Sequence, residues 1–238
     1  MKNIELNDLY DYVPLKIYQN NEYFKFSLDS VLIAEYIKNP EKINSILELC
    51  AGNCAISMIL STKTKAKITA VELQEEIFEL GKKSIEYNNL SNQINLVCSD
   101  INNIENYFPG NKFDIIVCNP PYFDTKSSHL TNKEKIKAIA RHEINLKLED
   151  IFKISSKILD LNGELYIVHK PERLDEIIIF ANKYNINVKN IQFVTTKPND
   201  KSKLVLVRCI KGSHKNIKID KNICIENLNT FKNIFWRE

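Results

Sequence analysis

Apolar and polar positions along this chain repeat at two periods. Between residues 45 and 210, short runs rich in Ile, Leu and Val alternate with longer stretches in which apolar residues recur every three or four positions. The short runs predict strands at Ser45–Cys50, Lys67–Glu72, Ile94–Cys98, Phe113–Cys118 and Glu164–Val168. The longer stretches predict helices at Gly52–Ser61, at Glu75–Asn88 with Ile77, Leu80 and Ile85 at helical spacing, and at Leu148–Leu159, stopped near Asn162-Gly163. Pro171 opens a further helix, running to about Tyr184, at the first helical position, where its missing N–H does no harm. Val188–Thr195 and Lys203–Cys209 predict a closing antiparallel pair.

Strands that alternate with helices predict an α/β fold, a mostly parallel, doubly wound, seven-stranded sheet with an antiparallel closing strand. The right-handed crossover rule puts the first four strand ends along one edge, where ligands of such sheets sit. Residues 1–44 follow another pattern. Tyr18–Phe24 reads as a short hairpin and Asp29–Ile37 as a helix with Asp29 at or near its cap. The chain divides into an extension over 1–44, a main domain over 45–210 and a tail over 211–238.

Composition narrows this picture. With 238 residues, 44% hydrophobic and 26% charged, the chain can bury one sizeable core. Its longest apolar runs, such as Ile177–Ala181, are far too short to span a bilayer. Met1–Tyr10 carries Glu5 and Asp8 without an apolar core, so no signal peptide and a cytoplasmic location are expected. The six cysteines form no CxxC pair and have no His at ligand spacing, so they read as small buried hydrophobes rather than a metal site. Charge is unevenly spread. Residues 1–125 hold 11 Lys against 17 acids, a balance of −6, and residues 126–238 hold 22 Lys and Arg against 13 acids, a balance of +9. A basic second half points to a polyanionic partner such as nucleic acid.

The chemistry is concentrated at the predicted strand ends. The first strand runs into Glu48-Leu49-Cys50-Ala51-Gly52-Asn53-Cys54, a loop with one Gly. The second ends in Glu72, placed to accept from two ribose hydroxyls, and the third in Ser99-Asp100. A pyrophosphate cofactor would want a glycine-rich loop without a facing acid. Acids at three successive strand ends suit a cationic nucleoside instead, and S-adenosylmethionine carries an ammonium and a sulfonium. Directly after the fourth strand stands Asn119-Pro120-Pro121-Tyr122. Two prolines stiffen the backbone and remove two donors, leaving the Pro120 carbonyl and the Asn119 side-chain oxygen as acceptors for both hydrogens of an NH2 group. Tyr122 can stack on a planar base.

This series resembles the motifs of class I, Rossmann-like S-adenosylmethionine-dependent methyltransferases that act on planar amino groups. More closely, the chain is similar to the bacterial tRNA1(Val) adenine-37 N6-methyltransferase family. The further matching strings are Phe26-Ser27-Leu28-Asp29-Ser30-Val31-Leu32-Ile33-Ala34, Ala140-Arg141-His142-Glu143, Leu148-Glu149-Asp150 and Val168-His169-Lys170-Pro171-Glu172-Arg173-Leu174, within about residues 15 to 220. One departure is Cys54, where a third Gly is usual. The resemblance implies that Asp29, Glu48, Cys50, Gly52, Glu72, Leu73, Asp100, Ile101 and Asn119 bind S-adenosyl-L-methionine, with the 1–44 extension packed on that site. It implies that Asn119, Pro120, Pro121 and Tyr122 hold the target amine. Lys126, Arg141, His142, Lys170, Arg173, Lys197, Lys201 and Lys203 become candidates for contact with tRNA. A metal-free monomer is expected. Release-factor glutamine methylation, DNA adenine methylation and a non-catalytic RNA-binding module remain as alternatives.

Overall fold

The computed structural model describes residues 4–10, 13–20, 28–110, 112–121, 146–214 and 216–226. The main sheet uses β3 (Ser45–Leu49), β4 (Lys67–Glu72), β5 (Ile94–Cys98), β6 (Phe113–Cys118), β7 (Leu159–His169), β8 (Ile186–Thr195) and β9 (Ser202–Lys211). Their spatial order is β8-β9-β7-β6-β3-β4-β5, with β9 antiparallel to both neighbours and every other pair among the seven parallel. These seven reproduce the predicted sheet with its closing strand, and two short strands beyond residue 211 bring it to nine. Order reverses between β3 and β6, which makes a switch point at the carboxyl ends of those strands.

Alternate residues of each strand feed two cores, as the period of two requires. On one face α1 (Leu28–Tyr36), α2 (Ala55–Ser61) and α3 (Glu75–Tyr87) cover Ile46, Ile68, Ile115 and Val117. On the other, α4 (Ile104–Tyr107), α5 (Leu148–Ile158) and α6 (Leu174–Lys183) cover Leu47, Leu49, Ile116 and Ile167. Among the described residues no helix is long and apolar enough to cross a membrane.

Three boundaries differ from the sequence expectation. The N-terminal hairpin exists, but it pairs β1 (Ile4–Tyr10) with β2 (Val13–Asn20), so Tyr18 belongs to the second strand rather than opening a hairpin. Apolar alternation is weak in these strands, and residues 21–24 of the expected hairpin lie outside the described residues. The α5 helix stops at Ile158, and Asn162-Gly163 lies inside β7, where Asn162 takes φ 64°. Phe113 pairs with Leu159 and Ile115 with Glu164, so the extra β7 residues bulge out of the ladder. Finally, the predicted tail contributes two short strands, β10 (Lys218–Ile219) and β11 (Ile223–Cys224), both parallel to β8.

The β1–β2 hairpin docks through its backbone. Lys16 N donates to Asn88 Oδ1 at 3.0 Å, Asn88 Nδ2 donates back to Lys16 O at 2.6 Å, and Tyr18 N donates to Ser84 Oγ at 2.9 Å. The α1 helix is anchored at its far end. Tyr36 Oη donates to Asp220 Oδ2 at 3.3 Å, and Lys38 N donates to the Tyr166 hydroxyl at 3.2 Å. Asp220 is also held by Asn190, whose Nδ2 lies 3.1 Å from both carboxylate oxygens.

Candidate active site

The loop between β3 and α2 is wound left-handed at three positions, Cys50 (φ 57°), Gly52 (φ 55°) and Cys54 (φ 67°). Only glycine adopts this without steric penalty, so the two cysteines store a modest strain. The Cys54 thiol is fully buried, and a β-carbon on Gly81 of α3 would stand 3.1 Å from its Sγ. The bare α-carbon of Gly81 therefore makes room for the side chain that replaces the usual third Gly. Among the described residues, chain neighbours aside, no atom lies within 4 Å of where a Gly52 β-carbon would point.

Glu72 ends β4 and is 4% exposed. Its Oε2 accepts from Gly52 N at 2.8 Å and its Oε1 from Gln74 N at 2.9 Å, which ties the first loop to the start of α3. Each carboxylate oxygen keeps a lone pair for a diol. Asp100 caps the turn after β5, accepting from Asn102 N at 2.8 Å and from its side-chain amide at 2.9 Å. Leu73 is 39% exposed beside Glu72, while Ile101 is buried beside Asp100.

Glu48 departs from its expected role. Strand alternation turns it to the same face as Ile46, beneath α2, and it is 1% exposed. Ser57 donates to Glu48 Oε2 from its backbone N–H at 2.9 Å and also from its hydroxyl. Burial, aided by the Glu72 charge and opposed by the Ser57 bonds, pushes the Glu48 carboxyl up to about 8. At neutral pH it is a largely protonated cap on α2, not an open charge facing a cationic ligand. Ser57 was not singled out in the sequence, because nothing local links it to a strand nine residues earlier.

Asn119 follows β6, level with this crevice. Its Nδ2 donates to Ser30 Oγ of α1 at 3.2 Å, across 89 residues of chain. Ser30 is 7% exposed and lies beside Asp29, in the first turn of α1. On the other side of Pro120-Pro121 lies a cavity of about 390 Å³, lined by Leu148, Ile151, His169, Arg173 and Phe180 among others. Lys170 N donates to His169 Nδ1 at 2.8 Å, which assigns the proton to Nε2. Burial, with Arg173 and Lys170 nearby, pushes this imidazole down to about 4. Sequence reading carried Ser30 and His169 only inside matching strings, without a role.

Five of the eight basic candidates, those among the described residues, fall on the same edge. Because β8 is parallel to β7, the 196–201 turn between β8 and β9 projects where β7 ends, carrying exposed Lys197 and Lys201, with Lys203 just inside β9. Lys170 and Arg173 follow β7 directly. Lys170 is exposed, whereas Arg173 donates from Nη2 to Glu176 Oε2 at 2.8 Å and so is partly engaged. Tyr122, Lys126, Arg141 and His142 lie outside the described residues.

The backbone turn at Gly52, an acceptor pair at Glu72 and a capped acid at Asp100 fit an adenosine ligand whose ribose carries free hydroxyls. Comparison with known proteins agrees. Residues 46–145 match a methyltransferase domain. A solved structure described as a predicted O-methyltransferase from Agrobacterium tumefaciens superposes with a TM-score of 0.65 at 21% identity, covering 82% of this chain and 86% of that one. The T. thermophilus 16S rRNA N2 G1207 methyltransferase, solved with AdoMet and guanosine, gives a TM-score of 0.58 at 18% identity, covering 83% of this chain and 47% of that one. The fold is thus that of class I methyltransferases, and residues 46–145 carry a methyltransferase domain. Among curated relatives, it is similar to the tRNA1(Val) (adenine(37)-N6)-methyltransferase of Flavobacterium psychrophilum, 24% identical over 204 residues, 84% of this chain and 86% of that one.

Proposed function

We propose that the chain methylates N6 of an adenine in tRNA, at position 37 of tRNA1(Val), and that the polar frame Asn119-Pro120-Pro121 at the end of β6 is its amine-binding element. The observation that carries this reading is the placement of Asn119, whose amide nitrogen is tied to Ser30 while the crevice of Gly52 and Glu72 opens beside it. When bound, S-adenosylmethionine supplies the methyl group from its sulfonium. Gly52 and Glu72 hold its ribose end, Asp100 and Ile101 its adenine end, and the extension over 1–44 packs against this site through Asn53 Nδ2, which donates to Tyr18 O at 3.4 Å.

The residues of this chain need to position more than to move protons, because the donor is already activated and its leaving group is neutral. Asn119 Oδ1 and the Pro120 carbonyl each accept one amine hydrogen, turning the nitrogen lone pair out of conjugation with the ring. Tyr122 stacks on the base, which leaves the anticodon loop to enter the crevice. The cavity beside Pro120 and Pro121, lined by Leu148, Ile151 and Phe180 together with Lys147, Glu149, His169 and Arg173, gives an extruded base a partly apolar wall with polar groups in reach. Lys170, Lys197, Lys201 and Lys203 line the same edge and meet phosphates.

The test is methyl transfer from labelled S-adenosylmethionine to total tRNA, genomic DNA and release factor in parallel, followed by digestion of the labelled nucleic acid. Label is expected in tRNA alone, as N6-methyladenosine at position 37. Label in DNA or in release-factor glutamine instead would replace the substrate assignment, and label nowhere would leave a binding module.

A further inference from the structure

Gly81 stands in the middle of α3, where glycine is a poor helix former and alanine the best. Its place there calls for a reason, and the packing supplies one. A β-carbon on Gly81 would stand 3.0 Å from Leu96 Cδ2, 3.1 Å from Cys54 Sγ and 3.4 Å from Gly52 O. The first two distances are shorter than the roughly 3.5–4.0 Å at which nonbonded carbons rest against one another. Something near Gly81 would have to move.

The neighbours differ in how they can yield. Leu96 Cδ2 is the far end of a flexible, partly buried side chain on β5 and can swing aside. Cys54 is fully buried and held at φ 67° as the residue that precedes α2, so its sulfur has little freedom. Cys54 N donates to Ala51 O at 2.8 Å, and Met58 N of α2 donates to Cys54 O at 3.0 Å. Ala51 N in turn donates to Val71 O of β4 at 2.9 Å. The turn is thus tied to β4 at one end and to α2 at the other. Pressure on the thiol falls on the residues between those ties, and one of them is Gly52, whose N–H is bound to Glu72.

We infer that Gly81 is a positioning residue for the cofactor turn: its bare α-carbon is the socket that seats the Cys54 thiol and so sets where the Gly52 backbone meets the nucleoside. Gly81 acts through Cys54 and not by contact with the ligand. The thiol serves as a spacer rather than a nucleophile, because burial pushes it well above the ordinary thiol range and keeps it protonated. This assignment rests on the reading of the Gly52 turn as the seat of S-adenosylmethionine, and its test separates the two.

The experiment is a calorimetric titration of S-adenosylmethionine into the wild type, Gly81→Ala, Cys54→Gly and the double variant, each accompanied by a thermal melt. Gly81→Ala is expected to raise the dissociation constant roughly tenfold, while its melting temperature stays within a few degrees because the gain in helix propensity offsets the crowding. In the Cys54→Gly background, where the sulfur is gone, the same change is expected to shift the constant by less than about twofold. Leu96→Ala added to Gly81→Ala relieves the other close contact and is expected to restore nothing. Equal losses in both backgrounds, wild-type affinity in Gly81→Ala, or rescue by Leu96→Ala in place of Cys54→Gly would overturn the inference. If Gly81→Ala does not fold, the double variant decides: affinity within about twofold of Cys54→Gly supports the pairing, and failure to fold or bind overturns it. A wild type that binds no S-adenosylmethionine overturns the reading of the site itself, and the first titration tells that outcome apart from failure of the pairing.

Discussion

Glu48→Gln isolates one buried proton. The carboxyl stands under α2 with two bonds from Ser57, and its folded value of about 8 compares with an ordinary 4.5. Between these values the folded chain keeps a proton that the unfolded chain has lost, so stability falls as pH rises. The loss is complete only above the folded value. Between pH 7 and pH 9 the single-site linkage expression gives a decline on the order of 1 kcal/mol from this group alone. For a chain of this size that is roughly 2–4 °C in melting temperature. His169 contributes with the opposite sign. Its folded value of about 4 lies below the ordinary 6.5, so its share of stability is lost as pH falls from about 6.5 toward 4, and it is nearly flat above pH 7. Glutamine keeps the shape and an acceptor for Ser57 but does not titrate. Any constant offset from its amide cancels when slopes are compared. Thermal melts of both proteins from pH 7 to pH 9 should show the wild type declining more steeply by the stated amount. Parallel curves would mean that Glu48 is ionised and solvated, and the inward-facing assignment would be wrong.

Glu72→Ala removes the acceptor pair beside Gly52 and should weaken S-adenosylmethionine by about 1.5–3 kcal/mol in a calorimetric titration; unchanged affinity would remove Glu72 from the site. Changing Lys197, Lys201 and Lys203 together to Ala should raise the dissociation constant for tRNA and flatten its salt dependence by up to about three phosphate contacts, with cofactor binding unaltered; an unchanged salt slope would move the RNA elsewhere. Asp220→Ala strips Tyr36 and Asn190 of their acceptor and should lower stability by about 1–3 kcal/mol in denaturant melts, and a neutral result would show that α1 is anchored otherwise.

The parallel sheet was readable because each of its central strands is an apolar run long enough to be buried on both faces, bounded by Gly, Asn or a charge. The places of Glu72, Asp100 and Asn119 at or just beyond strand ends are readable for the same reason, while their roles belong to the proposed function. Glu48 was misplaced because its position is one of alternation, not of ending. It sits one residue inside the strand terminus, where both faces of the sheet are covered by helices, so its side chain enters a core rather than the edge. Ser30 and Ser57 were not readable as partners, since their contacts span 89 and nine residues and exist only after packing. The β10 and β11 strands, two residues each, are too short for any periodicity to announce.

The clasp at Asp220 has a consequence for biosynthesis. Tyr36 and Asp220 are 184 residues apart, and Asn190 joins them only after β8 has formed. A ribosome releases β3 to β6, with the cofactor loop and Asn119, long before it releases the carboxylate that secures the helix behind them. The nascent domain can thus reach most of its secondary structure while the helix bearing Ser30 still lacks its last tether, and contacts so distant in sequence are slow to close. Truncation shortly before residue 220 should therefore yield a chain that folds its sheet and binds nucleoside yet turns over poorly, which makes the final residues of the clasp a checkpoint on a site to which they contribute no group.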